Sequence, residues 1–143
     1  MALPEAPVTG TLPFQPPEQF PPDLREFWLL WRQERFWACH EALEEVWRAQ
    51  SGPRRHFLNG LIHGAVAVFQ HRRGNPAGAA RQLRRAQVKL ESFRPQSEGL
   101  DVDGFLQGVE REIASSLEKL TEKQRAALND VEAAVRKRMS TSG

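Results

Sequence analysis

The stretch FLNGLIHGAVAVFQ, residues 57–70, decides the fold of this 143-residue chain. Its apolar side chains cover most of the circumference of a helix, whereas a surface helix carries them along one stripe. We therefore predict a central, buried helix over residues 54–73. Gly60, Gly64 and Ala67 form a strip of small residues on it, along which a neighbouring helix could approach closely.

Helical periodicity continues on both sides of this segment, and turn-forming residues separate the successive helical segments. Asp23, Asn75, Asp101 or Asp103, and Thr121 are suitable N-caps. We predict further helices over residues 24–33, 35–49, 76–92, 103–119 and 121–138. Short connections between amphipathic helices favour an antiparallel bundle. The predicted fold class is all-α, an antiparallel bundle of five to six helices with no strand.

The distribution of proline divides the chain into three parts. Residues 1–22 contain seven of the ten prolines, and proline removes amide donors and disfavours helix in the residue before it. We predict a Pro-rich arm over residues 1–22, either loose or laid over the domain. The helical bundle domain follows over residues 23–138, and residues 139–143 form a flexible tail.

Composition excludes several classes of protein. No apolar stretch approaches the roughly 18 residues that a membrane span needs, and the N-terminus lacks the basic and apolar regions of a secretory signal. Cys39 is the only cysteine, which rules out an internal disulfide framework and a cysteine-based zinc site. These features predict a cytoplasmic protein that does not enter a membrane.

The near-neutral net charge of +2 conceals a strongly basic middle third. Residues 46–90 contain nine Arg and Lys residues and no Asp or Glu. Such a stretch is typical of proteins that bind nucleic acid or phosphorylated ligands. The alternative is a solvated face that partly neutralises the acidic residues elsewhere, and no aromatic alternation or nucleic-acid motif in the sequence favours binding over it.

The helix predicted over residues 35–49 carries a polar stripe beside its apolar centre. On a wheel of about 100° per residue, Trp37, His40, Glu44 and Trp47 line up at the edge of the apolar arc. His40 and Glu44 are neighbours at i and i+4, so they can share a hydrogen bond or a ligand. Glu41 lies further round, toward the polar side.

The central helix has a polar stripe of its own, formed by Asn59, His63 and Gln70. Buried polar groups need partners, because an unsatisfied one costs about 1–3 kcal/mol. His40 and Glu44 on the preceding helix are the partners we expect. The sequence thus predicts a cluster of His40, Glu44 and His63 in one crevice.

Two imidazoles and a carboxylate are sufficient ligands for a divalent metal such as zinc, manganese or iron, with a position left for water. His40, Glu44 and His63 are the candidate metal ligands. A bound metal would activate water at neutral pH, with Glu41 or Glu44 as the catalytic base acting on a small-molecule substrate. The same residues could instead form a structural hydrogen-bonded network that fixes the helix register.

Two other functions stay open at this point. The first is a non-enzymatic module that binds an anionic partner, nucleic acid or a phosphorylated ligand, through the Arg-rich third and fourth helices. The second is a structural or oligomerisation domain that forms a homo-oligomer and has no site.

Residues 31–90 resemble a bacterial and archaeal family known as domain of unknown function 309. The matching stretches occur in the family's order and spacing. They are FWACHEALEEVW (36–47), FLNGLIH (57–63), RRGNPAGAA (72–80) and, more weakly, GLDV (99–102).

The resemblance implies an all-helical bundle and a metal-dependent hydrolase, which is the activity inferred for the family. Its pattern carries over onto His40, Glu41, Glu44 and Trp47. The chain departs from the pattern at Ala38, where the family typically has an acidic residue, so one ligand or base that the resemblance implies is missing. On the third helix the family typically has Gln followed by His, whereas this chain has His63 followed by Gln70.

Overall fold

The computed structural model describes residues 12–141 and confirms an all-α helical bundle. Seven α-helices in this part of the chain are joined by short turns, two 3-10 turns and one small hairpin. The helices are α1 (Arg25–Arg32), α2 (Phe36–Arg48), α3 (Pro53–Arg72), α4 (Pro76–Leu90), α5 (Val102–Glu112), α6 (Ala114–Glu118) and α7 (Glu122–Thr141). Within residues 12–141, none of the helices combines the length and the apolar character needed to cross a membrane.

The central position of α3 is confirmed, because buried residues lie on all sides of this helix. It packs mainly against α4 and α2, and α5 also contacts it. A Cβ atom added to Gly60 would lie 2.5 Å from Cγ of Leu90, and one added to Gly64 would lie 2.5 Å from Cζ of Phe105. The strip of small residues on α3 therefore lets both α4 and α5 approach closely.

Three of the predicted helix caps are confirmed. The side chain of Asn75 caps α4, and that of Asp101 caps α5, each accepting a hydrogen bond from the backbone N–H three residues later. Thr121 and Gln124 form a reciprocal capping box at the start of α7, with bonds of 3.0 and 2.9 Å. These residues fix where α4, α5 and α7 begin.

Two predictions about the helices were wrong. Asp23 does not cap α1, because it lies in a 3-10 turn (Pro22–Leu24) and its carboxylate accepts hydrogen bonds from Arg54. The helix predicted over residues 103–119 is two helices, α5 and α6. The chain bends between them at Ile113, whose side chain is fully buried and whose backbone leaves helical geometry.

The segment between α4 and α5 contains a hairpin where a loop without strands was predicted. Strands β1 (Gln96–Ser97) and β2 (Leu100–Asp101) pair in antiparallel register. Each strand has only two residues, so the alternation that reveals a strand in a sequence has no room to appear.

The described segments nearest the two ends of the chain pack on or continue the bundle. Residues 1–11 of the predicted arm lie outside the described residues, but the following segment is laid over the domain. Nε1 of Trp31 donates to the carbonyl of Phe14 at 2.8 Å, and the Phe14 ring contacts Phe105 edge to face. At the other end, α7 continues to Thr141, three residues into the predicted tail, and residues 142–143 lie outside the described part.

Candidate functional site

The helix α2 presents His40 and Glu44 as the wheel predicted. His40 and Glu44 are partly buried beside the apolar centre of the helix, whereas Glu41 is exposed. Nε2 of His40 lies 3.4 Å from Oε1 of Glu44. Nδ1 of His40 lies 2.7 Å from the carbonyl oxygen of Trp37, which only accepts, so Nδ1 carries a proton. The i, i+4 pair is therefore formed, and the Trp37 carbonyl fixes the orientation of the imidazole.

His63 has different partners from those the sequence suggested. Its Nδ1 lies 2.7 Å from Oε1 of Gln82 on α4, and its Nε2 lies 3.2 Å from Oδ1 of Asn59. Gln70, from the same stripe, accepts a hydrogen bond from Asn75. The prediction that His40 and Glu44 satisfy this stripe was wrong. The stripe lies where α3 meets α4, the neighbour with which it shares its largest interface.

The environment of His63 keeps its imidazole neutral at pH 7. Burial lowers the pKa of His63 to about 4, against the opposing effect of the hydrogen bond to Gln82. The positive charges of Lys89 and Arg85, and more weakly that of His40, lower this pKa further. A neutral ring carries one N–H, so it donates to only one of the two amide oxygens, and the shorter distance favours donation from Nδ1 to Gln82.

The proposed metal ligands are brought together only in part. Within residues 12–141, no group of three His, Cys, Asp or Glu side chains is arranged to hold one metal ion. His40 and Glu44 stand side by side, but the ring nitrogens of His63 face the amide oxygens of Gln82 and Asn59, and Glu41 is exposed. The metal centre formed by His40, Glu44 and His63 stays a prediction.

A cavity of about 350 Å³ lies beside His63, and sequence reasoning did not find it. Helices α2, α3, α4 and α7 all contribute to its wall. The lining residues are Trp47, Asn59, His63, Arg85, Lys89, Val135 and Arg138. Three of these side chains are cations and none is a carboxylate. We call this space the basic cavity.

The structure separates the basic residues of the middle third into two groups. The first group is neutralised by carboxylates. Arg54 pairs with Asp23 and Glu98, Arg72 with Glu34 and Glu112, and Arg84 with Glu132. The second group includes Arg85 and Lys89, for which no ion pair is formed within residues 12–141. Arg85 and Lys89 line the basic cavity. Arg55, Arg73 and Arg81, which also form no ion pair in the described part of the chain, lie outside it.

The cations at the basic cavity repel one another. Burial lowers the pKa of Arg85, and the charges of Arg81 and Arg138 lower it further. Burial likewise lowers the pKa of Lys89, with added contributions from Arg138 and Arg55. In both cases the positive form is destabilised by desolvation and by like charge. An anion in the cavity would relieve both effects.

The sequence contained one signal for this site, the absence of acidic residues from 46–90. It could not show that Arg138 joins the cavity, because this residue lies almost fifty positions away from Lys89 on α7. Nor could it show which cations are paired, because partners such as Glu132 and Glu34 are distant in the chain.

Comparisons with known proteins confirm the family resemblance. Residues 24–82 match the family described as "Domain of unknown function (DUF309)". The chain is 36% identical to "Uncharacterized protein YpuF" of Bacillus subtilis (strain 168) over 69 residues, which are 48% of this chain and 40% of that protein. The chain thus spans about two fifths of the length of this relative. No solved structure shows a significant match, and neither description names an activity.

Proposed function

With residues 24–82 assigned to a domain of unknown function, we propose that this protein binds a small phosphorylated ligand in the basic cavity. The observation that carries this proposal is the convergence of Arg85 and Lys89 from α4 and Arg138 from α7 on one concave space without a lining carboxylate. Planar guanidinium groups hold phosphate oxygens through paired hydrogen bonds, and an ammonium group adds a point charge.

The remaining lining residues could recognise uncharged parts of a ligand as well as its negative charge. Asn59 and the neutral His63 offer hydrogen-bonding groups, and Trp47 and Val135 offer apolar surface. Ligand sites commonly combine an apolar wall with a few polar groups that fix orientation. A cavity of this size accepts a small molecule, whereas a nucleic acid strand needs an extended groove or face.

Isothermal titration calorimetry with sodium tripolyphosphate at low salt tests this proposal. We expect binding to the wild-type protein that weakens as salt is added, because salt screens the attraction. Arg85→Gln and Lys89→Gln should each weaken binding by at least about tenfold, since hydrogen bonds to charged groups contribute about 1.5–3 kcal/mol. Arg111→Gln, an exposed residue of α5 outside the cavity, is the matched control.

Two outcomes would overturn the proposal. One is the absence of binding, or an equal loss in Arg111→Gln and the cavity variants, which would leave only a general effect of net charge. The other is binding of a short single-stranded RNA without binding of tripolyphosphate. That result would indicate that the basic residues bind nucleic acid.

The metal-dependent hydrolase implied by the family resemblance is a second proposal, and the His40–Glu44 pair supports it. A carbonyl that holds Nδ1, as that of Trp37 does, commonly orients a metal-binding imidazole. In this proposal His40 and Glu44 bind zinc, manganese or iron, and Glu41 acts as a base. His63 would be the third ligand only if its ring left Gln82 or Asn59.

Elemental analysis of the purified protein tests the second proposal. We expect one equivalent of metal in the wild-type protein and a clear loss in His40→Ala. Substoichiometric metal that is unchanged by His40→Ala would exclude a metal site at this pair.

A further inference from the structure

The helix α7 forms one wall of the basic cavity but is weakly attached to the rest of the domain. Of its twenty residues, Val135 alone is buried. Its main neighbour is α4. One ion pair joins Glu132 of α7 to Arg84 of α4, and a second joins Arg136 of α7 to Glu91, the residue that follows α4. The Arg136–Glu91 pair is exposed and the Arg84–Glu132 pair is partly exposed. Ion pairs that water reaches stabilise little, because water and salt screen them. The apolar contact of α7 is limited to Val135 and the half-buried Leu128, Val131 and Met139.

The position of Arg138 works against the attachment of α7. This side chain joins Arg85 and Lys89 of α4 at the wall of the same cavity, and its charge lowers the pKa of both groups. Like charges brought together across an interface oppose its formation. Docking of the C-terminal half of α7 therefore brings cations together that would separate if the helix moved away.

An anion in the cavity would replace the repulsion between Arg138 and the cations of α4 with attraction. Between Arg85 and Lys89 on one side and Arg138 on the other, it would contact both helices and replace repulsion with two attractive interactions. A ligand that binds only the docked arrangement stabilises that arrangement by mass action. The strength of α7 docking would then follow the occupancy of the cavity.

We infer that α7 is a ligand-dependent clasp, whose C-terminal half is held on α4 by an anion bridging Arg138 to Arg85 and Lys89. This inference rests on the proposed binding of a phosphorylated ligand. It adds that the site is complete only when α7 is docked, and that a bound ligand is enclosed by α7. The ligand must place negative charge within reach of cations on both helices.

Hydrogen–deuterium exchange with mass spectrometry on the full chain tests the clasp. Exchange at residues 132–141 is compared with and without saturating sodium tripolyphosphate at constant ionic strength, and α3 serves as the internal reference. We expect tripolyphosphate to slow exchange at residues 132–141 by about tenfold or more, with little change in α3. Calorimetry on the same samples shows whether the probe is bound.

Arg138→Gln and Lys137→Gln are the matched variants, since they remove the same charge from adjacent positions and Lys137 is exposed outside the cavity. In Lys137→Gln, tripolyphosphate should still slow hydrogen exchange in α7. Arg138→Gln should lose it even when enough probe is added to occupy the remaining cations on α4. Circular dichroism of the unliganded variants verifies that the helices are intact.

The outcomes distinguish the two proposals. Bound tripolyphosphate without slower exchange in α7 overturns the clasp and leaves anion binding in place. Protection in Arg138→Gln as large as in the wild-type protein overturns the bridge through this residue. Failure of the probe to bind overturns both proposals.

Discussion

Lowering the pH should destabilise this protein through His63, over a range that its pKa defines. In the folded protein burial holds this pKa at about 4, whereas an imidazole in the unfolded chain has a pKa of about 6.5. Between these values the unfolded chain binds more protons than the folded one, so the free energy of unfolding decreases as the pH falls. The stabilising contribution of the neutral His63 ring to the free energy of unfolding is fully present above about pH 6.5. It decreases as the pH falls and is lost by about pH 4.

The size of the effect follows from the same two values. A pKa lowered from 6.5 to about 4 corresponds to about 3 kcal/mol, since one unit equals 1.36 kcal/mol. Domains of this size are stable by about 5–15 kcal/mol. The protonation of this one ring should therefore remove a large part of the total stability.

Urea unfolding followed by circular dichroism at several pH values measures this loss in the wild-type protein and in His63→Gln. The variant keeps a donor for Gln82 but has no proton to take up, so we expect a flatter dependence on pH. The pKa values of His56 and His71 are also lowered by burial. These residues contribute equally to both proteins, and the difference between the two isolates His63.

The titration of the ring itself gives an independent measurement. In NMR spectra the ring C–H signals of His63 should shift with a midpoint near pH 4. A midpoint above pH 6, or the same pH dependence of stability in wild type and His63→Gln, would refute the reasoning from burial.

Three further predictions concern the fold that carries the site. Gly64→Ala should destabilise the protein by about 1–3 kcal/mol, because its Cβ would lie 2.5 Å from the Phe105 ring; an unchanged melting temperature would contradict this. Arg72→Met should cost about 3–5 kcal/mol in urea unfolding, because it removes the ion pair between Arg72 and the buried carboxylate of Glu34. Adding Glu34→Gln to that variant should recover part of the loss, and no recovery would count against the ion pair. Asn75→Ala should cost about 0.5–2 kcal/mol by removing the cap of α4, while Asn75→Asp should retain most of the stability if the cap is the cause.

The helices around the site could be predicted from sequence because their ends carry strong local signals. Predicted bounds of 35–49 and 54–73 agree to about one residue with α2 and α3. Proline and glycine punctuate these segments, and the signal is local in the chain. The division of the 103–119 segment at Ile113 has no such punctuation, which is why one helix was predicted where two exist.

The candidate site could be predicted only where a single helix determines it. The i, i+4 relation of His40 and Glu44 is fixed within α2, and the wheel placed both correctly. The partner of His63 depends on how α3 is rotated between α2 and α4, and both helices contact it. Gln82 offered no sequence signal, since an amide on a basic helix is usually a surface residue.

The packing of α4 against α3 also bears on where this protein can be divided. The segment shared with the family ends at residue 82, in the middle of α4. A fragment cut there would retain Gln82 but lose Leu90, which fills the space over Gly60, and Phe105, which fills the space over Gly64. The segment that matches the family model is thus smaller than the unit that we expect to fold cooperatively. An expression fragment trimmed to the family boundaries should collapse without a native core.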